Sequence, residues 1–277
     1  MKRWMIALVM VLAGFAQAQV GEAPPPEYQE GRGEFEMVLI HGLGASNEIW
    51  DSLKPYLLGT FKVWTFELAG HGETQPILDP TIEKEAARLA AFLEAEGIAY
   101  PTLVGHGLGG MVALQYSLDH PADVHRLIMI DSAPKQLATQ EQKVQVARAV
   151  AEKYDEFVFT RYSNMSPEPD ITEEIVHMAL RTHKASFTSL LLSSFDYDLT
   201  EQLRELTVPL LVIGSELLFP DPNQSKQVLH QIGFSNAPAL TFKRLGRTGH
   251  YVMLERPTYT ASVLLAFAVT ADYEFQH

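Results

Sequence analysis

Three short phrases hold the residue types that could carry chemistry. Residues 105–110 read Gly105-His106-Gly107-Leu108-Gly109-Gly110. The spacing is that of a nucleophile elbow, Gly-x-Ser-x-Gly, a tight strand-to-helix turn that lifts a reactive hydroxyl above a parallel sheet. That hydroxyl is missing, because Gly107 stands where the serine belongs. The second phrase is His41-Gly42-Leu43-Gly44, directly after the first clear apolar strand. Such a turn supplies one backbone N–H of an oxyanion hole, here that of Leu43. The residue after the nucleophile position supplies the other, here that of Leu108. The third phrase is Gly249-His250, which follows the last strand and opens the last helix.

The elements that must position these residues follow from apolar periodicity. Strands are predicted over 35–40, 61–66, 100–104, 125–130, 208–213 and 239–242. Helices are predicted over 81–96, 109–118, 222–232 and 251–269. Pro80 and Thr81 mark a helix start before Ile82, Ala86, Leu89, Ala90 and Leu93 at helical spacing. Continuous apolar strands separated by helices indicate a mostly parallel sheet with helices on both faces. The alternation stops over 134–206, which reads as helical throughout (142–157, 171–182, 187–195). That stretch is expected to be a helical cap over the strand ends, where open α/β sheets hold ligands. Its Phe157, Phe159, Tyr162, Met165, Met178 and Phe187 either line a pocket or form the cap's own core. The sheet is expected from 35–133 and 207–277.

Lys2 and Arg3, an apolar run from Trp4 to Phe15 and Ala16-Gln17-Ala18 have the layout of a secretory signal peptide over 1–18. The run is too short for a stable membrane span. Residues 19–34, rich in Pro, Gly and Glu, read as a loose lead-in. A secreted or periplasmic location is expected. The chain has no cysteine, which excludes disulfides, a thiol nucleophile and cysteine-ligated metals. Its formal charge of −13 opposes binding to nucleic acid. Two Asn-x-Ser matches, at Asn164 and Asn223, read as chance.

The phrases together resemble the α/β-hydrolase family, in particular its capped lipase, esterase and proline-iminopeptidase-like branch, over about residues 35–269. Gly70-His71-Gly72, Glu255 and Pro257 add to the likeness. The resemblance implies an α/β-hydrolase fold and puts His250 at the place of the catalytic base. It puts His41, Gly42 and His106 beside the ligand. The acid stays open. The family's Asp after the fifth strand corresponds to Leu217, with Glu216 one residue early and Asp221 four late. Asp131, at the end of the preceding strand, is the other candidate, used by some family members. Glu67 stands where Asp is usual. Histidines 41, 71, 106 and 250 should lie near one face of the sheet. No carboxylate pair with ligand spacing accompanies them, so neither a metal nor a cofactor is expected.

A triad without its serine has no covalent route. The leading expectation is a hydrolase relative that binds a small, partly apolar ester- or acyl-like ligand. Hydrolysis through a His250-activated water, an engineered serine-to-glycine change in an active esterase, and a non-catalytic interaction scaffold are the alternatives. The irregular acid phrase favours natural divergence over an engineered change. Ser46, Ser132 and Ser215 are the nearest substitute nucleophiles in sequence.

Overall fold

The computed structural model describes residues 31, 33, 35–136 and 138–270. The expected signal peptide and nearly all of the lead-in lie outside the described residues. Six strands form one parallel sheet: β1 (Phe35–Ile40), β2 (Phe61–Phe66), β3 (Thr102–His106), β4 (Arg126–Ile130), β5 (Leu210–Ser215) and β6 (Leu240–Leu245). Their spatial order is β2-β1-β3-β4-β5-β6. In register, Ile40 of β1 faces Gly105 of β3, and Gly105 faces Met129 of β4.

Strand alternation explains why the sheet is apolar on both sides. Val38 and Ile40 of β1, Leu103 of β3, Leu127 and Met129 of β4 and Val212 of β5 face one buried cluster. Met37 and Leu39, Val104, Ile128 and Ile130, and Leu211 and Ile213 face the other. Each face therefore needs its own helices. Helices α2 (Ile82–Ala95) and α3 (Leu108–Asp119) cover the first. The short α1 (Lys54–Leu57) belongs to the second.

Four helices stand between β4 and β5: α4 (Gln140–Glu152), α5 (Tyr154–Tyr162), α6 (Pro169–Arg181) and α7 (Lys184–Asp196). Their inner residues, among them Val158, Tyr162, Met178 and Phe187, join the second cluster and so fuse with the sheet's core. The helix expected over 142–157 is two helices. Lys153 leaves the helical region at φ −142° and ψ 56°, which ends α4 and starts α5. The break turns Tyr154 edge-on to Phe187, with ring centroids 5.5 Å apart. A Thr139–Gln142 capping box starts α4 two residues before its expected first residue.

The last three helices are α8 (Ser225–Gln231), α9 (Val252–Glu255) and α10 (Pro257–Thr270). The helix expected over 251–269 is also divided, at Arg256 (φ −140°, ψ 56°). Here the cause is visible in the sequence: Pro257 forces the residue before it out of the helical region and then serves as the first residue of α10. Among the described residues no helix is long and apolar enough to cross a membrane.

Candidate active site

The strand order reverses between β1 and β3, so the connections leaving these two strands part and open a crevice at their carboxyl ends. Both glycine phrases lie at that point. After β3 the chain turns at Gly107, with φ 51° and ψ −117°, and enters α3 at Leu108. A side chain at this φ would be strained by on the order of 1–3 kcal/mol. Two bonds from the end of β4 pin the turn. Gly107 N donates to the Ile130 carbonyl at 3.0 Å, and Ser132 Oγ donates to the Gly107 carbonyl at 2.6 Å. Gly109 is required for a different reason. A Cβ there would sit 2.4 Å from the His41 and Ile40 carbonyl oxygens, so only glycine lets α3 pass this close to β1.

His250 stands opposite the elbow. Its Nδ1 lies 2.8 Å from Asp131 Oδ2. A carboxylate acceptor there selects the Nδ1–H tautomer and leaves the Nε2 lone pair facing Gly107. A Cβ built on Gly107 would be 3.2 Å from that Nε2. Asp131 is buried and has a positive φ of 44°. Its carboxylate also accepts from Ser215 N at 2.7 Å and from Ser215 Oγ at 2.8 Å. Three donors thus hold one buried acid and fix the imidazole through it.

Of the two acid candidates, only Asp131 meets His250. Glu216 leaves the end of β5 toward solvent and binds Arg244 Nη2 at 3.1 Å and Arg247 N at 2.9 Å. The Arg247 amide and the Arg244 guanidinium hold its carboxyl below the usual range. Leu217, at the family's usual acid position, is exposed. The ends of β4 and β5 are adjacent, but β4 delivers its carboxylate inward and β5 delivers Ser215.

The loop after β1, the candidate oxyanion loop, is held from beneath by two neutral histidines. His41 Nε2 accepts from Leu68 N at 3.0 Å while its Nδ1 lies 2.8 Å from the Gly42 carbonyl. His71 Nε2 accepts from Gly44 N at 3.1 Å. Burial pushes His41 down to about 4 and His71 down to about 3. Above the loop, the Tyr162 hydroxyl from α5 donates to the Leu43 carbonyl at 2.5 Å. The Leu108 amide is the first N–H of α3, a position with no intrahelical acceptor. Among the described residues neither it nor Leu43 N has an acceptor within the chain.

None of the three expected ligand contacts, His41, Gly42 and His106, lines the cavity. His41 and His106 are fully buried and do not line the cavity, because their rings are used to join loops. His106 Nε2 donates to the His250 carbonyl at 3.0 Å, and burial drives its ring well below the ordinary histidine range. Gly42 is packed under the elbow, its Cα 3.8 Å from the Cβ position of Gly107. Ser46 Oγ accepts from Glu48 N, Ser215 serves Asp131, and only Ser132 of the three candidate serines reaches the cavity.

The cavity above these residues has a volume of about 260 Å³. Its apolar wall is Leu43, Leu108, Met111, Leu218 and Ile232. The cap contributes Arg161, Tyr162 and Met165, and the segment after β4 contributes Lys135 and Gln136. Of the cap's aromatic and methionine candidates, Tyr162 and Met165 line it, Met178 and Phe187 are core, and Phe159 is exposed. The Met165 carbonyl accepts from His250 N at 2.6 Å, which ties the segment between α5 and α6 to His250. Below this contact the buried Glu255 accepts from Gly249 N at 2.6 Å, and burial raises its carboxyl. Arg161, Lys135 and Gln136 had no sequence signal, since no spacing sets them apart from surface residues of a helix or loop. Among the described residues no three His, Asp or Glu side chains cluster closely enough to hold a metal ion.

An apolar crevice at the switch point, backed by two free amides and a carboxylate-fixed histidine, is the layout of a hydrolase of the α/β class. The model of the alpha/beta hydrolase family matches residues 37–263, and the chain belongs to that family. It is 37% identical over 99 residues to a pimeloyl-[acyl-carrier protein] methyl ester esterase of Aromatoleum aromaticum, a match that spans 36% of this chain and 38% of that protein. A longer match, 26% identical over 253 residues, is to karrikin insensitive 2 receptor IA of Petunia hybrida, covering 85% of this chain and 90% of that one. Among solved structures, the enol-lactonase of Burkholderia xenovorans LB400 superposes with a TM-score of 0.76 at 19% identity, covering 87% of this chain and 95% of that chain. The esterase EaEST of Exiguobacterium antarcticum gives 0.77 at 17% identity, covering 88% and 94%.

Proposed function

We propose that this protein binds a small, partly apolar ester- or acyl-like molecule under its cap and has given up covalent hydrolysis. His250 is its base, Asp131 the acid that orients that base, and the Leu43 and Leu108 amides are its oxyanion donors. The observation that carries this reading is the pairing of His250 Nδ1 with Asp131 at 2.8 Å while Nε2 faces a glycine. The base is still aligned on the nucleophile position, yet no hydroxyl stands there. A chain that used the fold only as a scaffold would have no need of free oxyanion amides beside an aligned imidazole. Fold alone does not decide between these uses.

The test compares the natural chain with Gly107→Ser on short and medium p-nitrophenyl esters and with a fluorophosphonate. Labelling and turnover in the variant alone support an intact pocket lacking one atom. Labelling of the natural chain would reveal another serine nucleophile, with Ser132 and Ser194 the serines that line the cavity. Silence from both would end the pocket reading.

One observation favours a second reading. The Cβ position of Gly107 is at hydrogen-bonding distance, 3.2 Å, from His250 Nε2. A water oxygen there would be placed for general-base activation. That reading requires slow, fluorophosphonate-insensitive hydrolysis that vanishes in His250→Ala. Export is part of the proposal through the N-terminal 18 residues. Sequencing the N-terminus of the protein recovered from its native host tests it, with Gln19 expected first.

A further inference from the structure

The cavity has a cation that the site described so far does not use. Arg161 lines it from the last turn of α5. Its Nε is buried and has no hydrogen-bond partner. Among the described residues no carboxylate pairs with it. The neighbouring residues fix its place. Tyr162, next in sequence, holds the Leu43 carbonyl of the oxyanion loop, and Met165, one turn on, holds His250 N. Arg161 therefore directly precedes a segment that is tied at Tyr162 to the loop after β1 and at Met165 to His250. Lys135 lines the same cavity, with only a stretched 3.9 Å contact to Asp198. Asp131 is the one carboxylate among the lining residues, and His250 and Ser215 already occupy it. In a chain of net charge −13, a cavity lined by two cations and no free anion departs from the rest of the molecule.

A basic residue in a helix's last turn ordinarily serves the carbonyl end of that helix. Arg161 does not fit that role well, because its Nε is withdrawn from solvent without reaching any acceptor. A buried guanidinium donor left unmade is costly, and a planar carboxylate is the group whose geometry matches it.

We propose that Arg161, assisted by Lys135, forms a carboxylate subsite, so that the ligand is a short organic acid that also carries an ester, thioester or lactone carbonyl. The acid group lies on Arg161 and the carbonyl oxygen points at the Leu43 and Leu108 amides. The inference rests on the pocket reading above and adds the ligand's charge. Size agrees: a cavity of about 260 Å³ suits a small ester such as monomethyl succinate.

The test is calorimetric binding of monomethyl succinate and of its uncharged counterpart, dimethyl succinate, to the natural chain, Arg161→Gln, Arg161→Lys and the control Arg148→Gln. Arg148 sits exposed on α4, paired with Glu152. The expected result is a preference of at least about tenfold for the monoester in the natural chain and in Arg148→Gln. That preference should fall below about twofold in Arg161→Gln and partly survive in Arg161→Lys. An unchanged melting curve for Arg161→Gln shows that the loss is local. Equal binding of the two esters by the natural chain, or a preference that persists in Arg161→Gln, overturns the carboxylate subsite and leaves the pocket reading standing. Failure of the natural chain to bind either ester overturns both.

Discussion

Two arms meet at the crevice, and they differ in completeness. The base arm, built from β4, β5 and the loop before α9, is fully connected: Asp131 accepts from Ser215 twice and from His250. The elbow arm, built from β3 and α3, has its turn and its free amide but no side chain at Gly107. The difference follows from what each part costs. A nucleophile at positive φ strains the backbone, so its replacement by glycine relaxes the turn. Removing Asp131 would instead strand several buried donors. On the proposed reading, loss of chemistry is stabilising at the elbow and destabilising at Asp131.

The largest effect that would sharpen this contrast is catalytic. Gly107→Ser should raise turnover of p-nitrophenyl acetate by at least about a thousandfold, within the roughly million-fold such a serine is worth. Adding His250→Ala should abolish the gain. A gain that survives without His250 would separate the two arms and break the comparison.

Acid should strain the crevice on the side of the oxyanion loop. His41 and His71 are buried and neutral, at about 4 and about 3 against 6.5 when unfolded. Between pH 6.5 and those values the unfolded chain binds more protons. Stability is therefore whole above pH 6.5 and falls as pH drops, by about 1.4 kcal/mol per pH unit for each histidine. Urea unfolding from pH 7 to pH 4 measures the slope, and His71→Gln should flatten it.

Next in size is the base arm itself. Asp131→Ala should cost on the order of 3 kcal/mol, because Ser215 N and Oγ lose a buried acceptor. Glu216→Gln, at the rejected acid position, should move the melting temperature by no more than about 1 °C. Equal effects would undo the assignment of Asp131.

The smallest expected change is the stability cost of restoring the serine. Gly107→Ser should lower the melting temperature by about 2–10 °C, from a strain of about 1–3 kcal/mol. The His250 ring must also yield a few tenths of an ångström to a Cβ 3.2 Å away. A variant as stable as the natural chain would remove the energetic explanation for the glycine.

The sequence by itself determined the fold class, the strand and helix order and the three phrases that surround the site. These are local properties: apolar period and turn glycines were enough to read them. It also showed that Gly107 cannot be a nucleophile. The breaks at Lys153 and within 251–269 were missed or misjudged, the first because nothing in the chain near 153 disfavours a helix. The sequence could not choose between Glu216 and Asp131, since both end neighbouring strands and only side-chain direction separates them. Tertiary structure separates their positions, turning Asp131 inward to His250 at φ 44° and Glu216 outward to Arg244. It also took His41 and His106 out of the cavity and brought Arg161 into it. The physical reason is common to all three: a residue's type sets what it can bind, but burial and the partners across the fold decide which of its options remains.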